Sequence, residues 1–273
     1  MINKEDFLEK LAFPENSPLG NNKEIVELLW NILNHMYENG NDVTKNIVTN
    51  FLETKQTIQI FENNAPSSYM KFFGALKLNK EDSIATIIHE LGHYYLNLLL
   101  YNNEEYPEYQ EVALYNYFKE INERAKTHCK TNKDLNFTFR NHQFSHAKLS
   151  DFLRILCNKE LYSKEELAQL GPLSDIISAV WTGGVSFETR TGEKFILPFF
   201  HNETYYQKED TIDYPLVFDE QFANFFTLYT LGLEEQLNVL KELFGLEWYN
   251  VMKTTILQIE QELLKRKELK QNR

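Results

Sequence analysis

The sequence predicts an α+β fold that is mostly helical, and three observations carry that prediction. Apolar residues recur at helical spacing along most of the chain. Only two stretches ahead of residue 80 read as strand, 57–61 and 69–78, the first by its alternation of apolar and polar residues. Gly (10) and Pro (7) are few for 273 residues, which argues against long linkers.

In chain order, residues 1–54 read as helices. Ile25, Leu28, Leu29, Ile32, Leu33 and Met36 form a stripe that ends near Gly40. After the two strands, a helix is expected over 82–101 and another over 107–126, with Val112, Tyr115, Phe118 and Ile121 on one face. Residues 130–145 are polar and poorly patterned and read as loop. Shorter helices follow around Phe152 and Leu173. The stretches 185–187 and 194–197 flank Thr191-Gly192 and predict a hairpin. From Leu216 the chain reads as helix almost to its end. Phe222, Phe225, Phe226 and Tyr229 share one face, continued by Leu237, Leu240, Phe244, Trp248 and Met252. The organisation expected is an N-terminal helical region, 1–55, packed on a domain of 56–273.

Composition narrows the function classes. The net charge is -12, and the one basic run, 265–270, is interrupted by Glu268, so a nucleic-acid partner is not expected. The longest apolar run, 94–101, is broken by Asn97 and is too short to span a membrane. The first residues lack the basic and apolar regions of a signal peptide, which predicts a cytoplasmic protein, with export by a specialised system left open. The two cysteines, Cys129 and Cys157, have no metal-type spacing and read as reduced thiols. Aromatic residues reach 14%, with 20 Phe and 15 Tyr, so much of the core must be built from rings.

The chemistry is concentrated in residues 89–93, His-Glu-Leu-Gly-His. On a helix, positions four apart lie one turn above each other, so His89 and His93 can reach one metal ion. Glu90 follows His89 by about 100° of rotation. Its carboxylate then stands beside the ion, placed to take a proton from a water that the ion activates. This is the HExxH arrangement of zinc hydrolases, the zincins. Asp82 and Ser83 ahead of it supply a helix cap, and Ile84, Ile87, Ile88, Leu91 and Tyr95 can pack the helix into a core.

Zinc needs a third protein ligand and keeps one position open. A metzincin would continue with Gly and His where this chain has Leu96 and Leu99. Thermolysin-like enzymes place a Glu where this chain has Ala113. The residues left as candidates are Glu111, His128, His142, His146, Asp175, His201 and Glu220.

The segment Asp219-Glu220-Gln221-Phe222-Ala223-Asn224-Phe225-Phe226 resembles the Glu-x-Phe-Ala-x-x-Phe helix of gluzincins of the anthrax lethal factor type. It also resembles peptidase domains associated with phage and with polymorphic toxins. Phage-associated members further resemble the stretches Leu173-Ser174-Asp175-Ile176 and His201…Tyr205-Tyr206. The resemblance covers about residues 82–245. It implies a zincin-like fold with the small sheet before the HExxH helix, and Glu220 as third ligand of one Zn2+ per chain. On residue chemistry alone, Glu220 also reads as an acidic group at a favourable helix N-terminus. For the oxyanion, Tyr214 stands six residues before Glu220, and His201, Tyr205 and Tyr206 compete with it. Asp175 can orient a ligand histidine or cap a helix.

The expectation is a bacterial or phage zinc metallopeptidase acting on a peptide or protein. Its metal ligands are His89, His93 and Glu220, and its catalytic residues are Glu90, Tyr214 and His201. The alternative is a catalytically weak or inactive zincin-fold binding or structural protein of a phage or toxin system. Neither substrate identity nor oligomeric partner can be read from the sequence.

Overall fold

The structure is a computed structural model that describes residues 2–12, 23–54, 56–62, 64–100, 108–132, 134–183, 186–188 and 194–271. It is mostly helical with small sheets, as the periodicity predicts. The chain divides into two compact units. The first holds residues 1–105, 230–232 and 254–273, and the second holds 106–229 and 233–253.

The first unit opens with α1 (Lys4–Leu8) and β1 (Leu11–Ala12). Helices α2 (Lys23–Asn39) and α3 (Asp42–Glu53) follow, with Ile25, Leu29, Ile32, Leu33 and Met36 of the expected stripe buried. Asn41 caps α3 by accepting from the Thr44 N–H at 3.0 Å. Strand β2 (Ile58–Glu62) pairs in parallel with β1, so the N-terminal segment and the strands that follow it share one sheet in one unit. The expected second strand is in fact a hairpin. Strands β3 (Ser68–Met70) and β4 (Ala75–Leu78) run antiparallel around a 3-10 turn at Lys71–Phe73. Gly74 closes that turn at φ 57, the left-handed region that glycine enters without steric cost. The sheet order is β1-β2-β4-β3, with β3 at the edge.

Helix α4 (Ile84–Leu100) carries the HExxH segment. Ser83 caps it, its hydroxyl accepting from the Thr86 N–H at 3.1 Å. Asp82 faces back and accepts from the Ser67 N–H at 2.7 Å, which ties the helix start to the sheet loop. From Ile87 onward α4 is buried almost all round, with Phe51 set edge-on against Tyr94 and Tyr95. Ile84 departs from expectation: it lies in the first turn and is exposed.

The second unit starts with α5 (Glu108–Thr131). Of residues 130–145, expected as loop, the first two still belong to α5, and an antiparallel hairpin of β5 (Leu135–Phe139) and β6 (His142–Ala147) follows. Arg140 and Asn141 both take positive φ at its turn, 49 and 63. Leu135, Phe137 and Phe139 alternate inward, and the Phe152 ring on α6 (Leu149–Leu156) packs edge-on against Phe137 and Phe139. Next comes α7 (Lys164–Val180), opened by a Ser163/Glu166 capping box and continuing through Pro172. It is the longer form of the short helix expected near Leu173. Strands β7 (Ser186–Glu188) and β8 (Lys194–Ile196) make the predicted hairpin, whose Thr191-Gly192 turn lies outside the described residues. A 3-10 turn, Glu203–Tyr206, leads to β9 (Gln207–Lys208) and β10 (Thr211–Ile212).

Helix α8 (Tyr214–Thr230) buries Phe222, Phe225, Phe226 and Tyr229 as the pattern predicts. Helix α9 (Glu234–Gln271) is interrupted at Gly245, where φ 85 and ψ 163 fall in a region essentially reserved for glycine. A buried hydrogen-bond relay joins the helices of this unit. The Trp248 indole on α9 donates to Gln221 Oε1 at 2.8 Å. The Gln221 amide on α8 donates to Asn122 Oδ1 at 2.9 Å, and Asn122 on α5 donates to the Val180 carbonyl of α7 at 3.2 Å. Gln221→Ala should therefore destabilise the protein by about 1–3 kcal/mol for each group left without its bond, read as a lower urea midpoint.

Candidate metal centre

Two groups of ionisable side chains stand out among the described residues. In the first unit, α4 brings His89 and His93 together with their Nε2 atoms 3.1 Å apart and their rings nearly perpendicular. Two imidazoles at about 2.05 Å from one tetrahedral zinc would hold their nitrogens about 3.3 Å apart. The observed pair is close to that spacing, so the donor set fits the ion. Glu90 is buried beside them. Tyr69, on the edge strand β3, lies nearly parallel to the His93 ring with centroids 6.5 Å apart. The sequence placed Tyr69 in a strand but carried no signal of this contact.

In the second unit, Asp175, His201 and Glu220 converge, each offering a ligand atom within 4.8 Å of the others. His201 Nε2 stands 3.6 Å from Asp175 Oδ2 and 3.7 Å from Glu220 Oε2. How a loop histidine reaches a helix carboxylate follows from two serines one helical turn apart on α7. The Ser174 hydroxyl donates to the Phe199 carbonyl at 2.6 Å and accepts from the Phe199 N–H at 3.1 Å. The Ser178 hydroxyl donates to the His201 carbonyl at 3.2 Å. Segment 199–201 is thereby pinned along the helix that presents Asp175. Gly183 lets the following turn come close, since a Cβ there would sit 2.5 Å from the Glu203 backbone.

Glu220 is 3% exposed and lies well inside α8, whose first turn begins six residues earlier. The helix N-terminus is instead capped by Asp213, which accepts from the Leu216 N–H at 3.2 Å. Burial of Glu220 is thus not explained by a helix end. The Tyr205 hydroxyl donates to Glu220 Oε1 at 2.6 Å, and its ring stacks on His201 at 3.9 Å. Asn224, one turn after Glu220 on α8, donates to Asp175 Oδ2 at 2.8 Å and to the Glu220 carbonyl at 3.0 Å. Tyr206 is fully buried. Desolvation, then the charges of Asp175 and Glu220, push its hydroxyl far above the ordinary tyrosine range.

Tyr214 sits elsewhere. Its hydroxyl donates to Glu123 at 3.1 Å, and burial together with that carboxylate pushes it up to about 12. Tyr205 is the tyrosine whose hydroxyl reaches Glu220. Among the other ligand candidates, His128 faces the Glu242 carbonyl, His142 is exposed, and His146 is exposed near Asp134. The side chain of Glu111 lies outside the described residues.

The chain matches no known family model, no curated protein and no solved structure. Among the described residues no helix is long and apolar enough to cross a membrane.

Ser174→Ala should cost about 1 kcal/mol of stability. It should also speed hydrogen exchange at the Phe199 amide, while amides in the middle of α5 keep their protection.

Proposed function

We propose that the protein is a zinc-dependent metallopeptidase. The observation that carries the reading is the convergence of His89 and His93 at 3.1 Å on one helix, with Glu90 buried next to them. His89 and His93 hold the ion, and Glu220, by its resemblance to the gluzincin ligand, supplies the third donor. Zinc bound there would polarise the scissile carbonyl and make a water more acidic.

The residues of the chain do the rest. Glu90 takes the proton from the attacking water and passes it to the departing amine. Its burial favours this work, because a carboxylate removed from bulk water holds its position and exchanges protons with the reacting groups rather than with solvent. Tyr205 fixes Glu220 through a hydrogen bond to one of its oxygens. Charge growing on the carbonyl oxygen is met by His201. Tyr214, whose hydroxyl is engaged by Glu123, serves instead to anchor the start of α8.

Zinc content and cleavage of a denatured protein mixture test the reading together. Glu90→Gln should retain zinc and lose about 10²–10⁴-fold in rate. His93→Ala should lose the tightly bound zinc, and Glu220→Ala should weaken it. Full activity in Glu90→Gln, or unchanged tight zinc in His93→Ala, would overturn the assignment. A zinc-loaded wild type inert toward every peptide offered would favour the alternative, a zincin-fold binding or structural protein.

A further inference from the structure

We infer that Asp175, His201 and Glu220 form a second divalent-cation site, built entirely within the second unit. The three ligand atoms already converge. Separations of 3.6 and 3.7 Å from His201 Nε2 to the two carboxylate oxygens match ligands about 2.1 Å from a common ion at angles near 120°. The carboxylates are 8% and 3% exposed, so their charge is carried in a poorly solvated place. Asn224 donates to Asp175 and Tyr205 to Glu220, so each carboxylate has one oxygen fixed by a neutral donor.

The site is also held in place before any ion arrives. Ser174 and Ser178 fix the backbone around His201, Asn224 orients Asp175, and Tyr205 both stacks on the His201 ring and fixes Glu220. Such supporting bonds are what orient metal ligands and set their basicity. His201 is 38% exposed and opens onto a shallow pocket of about 380 Å³ lined by Phe200, Asn202, Thr204 and Tyr205, which gives an ion a route in and leaves room for water ligands. Two carboxylates and one imidazole suit Mn2+ or Zn2+. With one fewer imidazole than the His89/His93 centre, the site should prefer Mn2+ more strongly and bind Zn2+ more weakly. The expected saturation then rises from one cation per chain to two.

This inference stands whether or not His89 and His93 hold zinc, and the test separates the two. In the double variant His89→Ala/His93→Ala, Mn2+ is titrated and free ion is followed by its six-line electron paramagnetic resonance signal, with circular dichroism confirming the fold. One Mn2+ should still bind per chain. Adding Asp175→Asn, or separately His201→Ala, should weaken that binding at least tenfold with the fold intact. Absence of Mn2+ and Zn2+ binding in the folded double variant would overturn the site, as would binding indifferent to both further substitutions.

Discussion

The second unit depends on the relay that passes from Trp248 through Gln221 and Asn122 to the Val180 carbonyl. Each link is a buried polar group that would cost stability without its partner, so four helices are held in one relative rotation. Gln221 occupies the core side of α8. The neighbouring Glu220, turned about 100° further round the helix, is thereby fixed toward Asp175 and His201. Placement of one structural glutamine thus determines where a buried carboxylate points. The serine pair on α7 completes the arrangement by pinning the loop that brings His201.

The first unit solves a related problem with a single helix. Its HExxH segment needs no loop, because the helical repeat alone superimposes His89 and His93. What the surroundings supply is rigidity. Ser83 caps the first turn, Asp82 binds the sheet loop, and near the other end Arg266 donates to the Leu98 carbonyl at 3.0 Å. The apolar neighbours along α4 from Ile87 onward help bury Glu90 in a place where electrostatic interactions are strong.

How much of this was legible follows the length scale of each interaction. The α4 motif, its cap and the phenylalanine face of α8 all rest on spacings of four residues or fewer, and they are readable from the chain. The β5–β6 hairpin escaped because Arg140-Asn141 is not a turn pair with a strong sequence signal. The β3–β4 turn lies inside an apolar run, where a single glycine, Gly74, is a weak turn signal. Gly245 likewise sits in a helical pattern that continues unbroken on both sides, so its positive φ left no mark. The meeting of His201 with Asp175 depends on hydrogen bonds between residues 23 and 25 positions apart, and no local pattern encodes those. Place in the chain relative to Glu220 favours Tyr214 over Tyr205. The choice of partner is set by where the hydroxyls lie, and those are found at Glu123 and at Glu220.

Taken together, the chain carries a pair of imidazoles with a buried glutamate in one unit and a rigid carboxylate–imidazole group in the other. The central claim is that His89 and His93 are the imidazole ligands of a zinc ion. Zinc K-edge X-ray absorption of the protein loaded with one equivalent of zinc tests it most directly. The account predicts scattering from two imidazoles with oxygen completing the shell, unchanged in His201→Ala and reduced by one imidazole in His89→Ala. A spectrum with no imidazole contribution, or one that His89→Ala leaves intact, would contradict it.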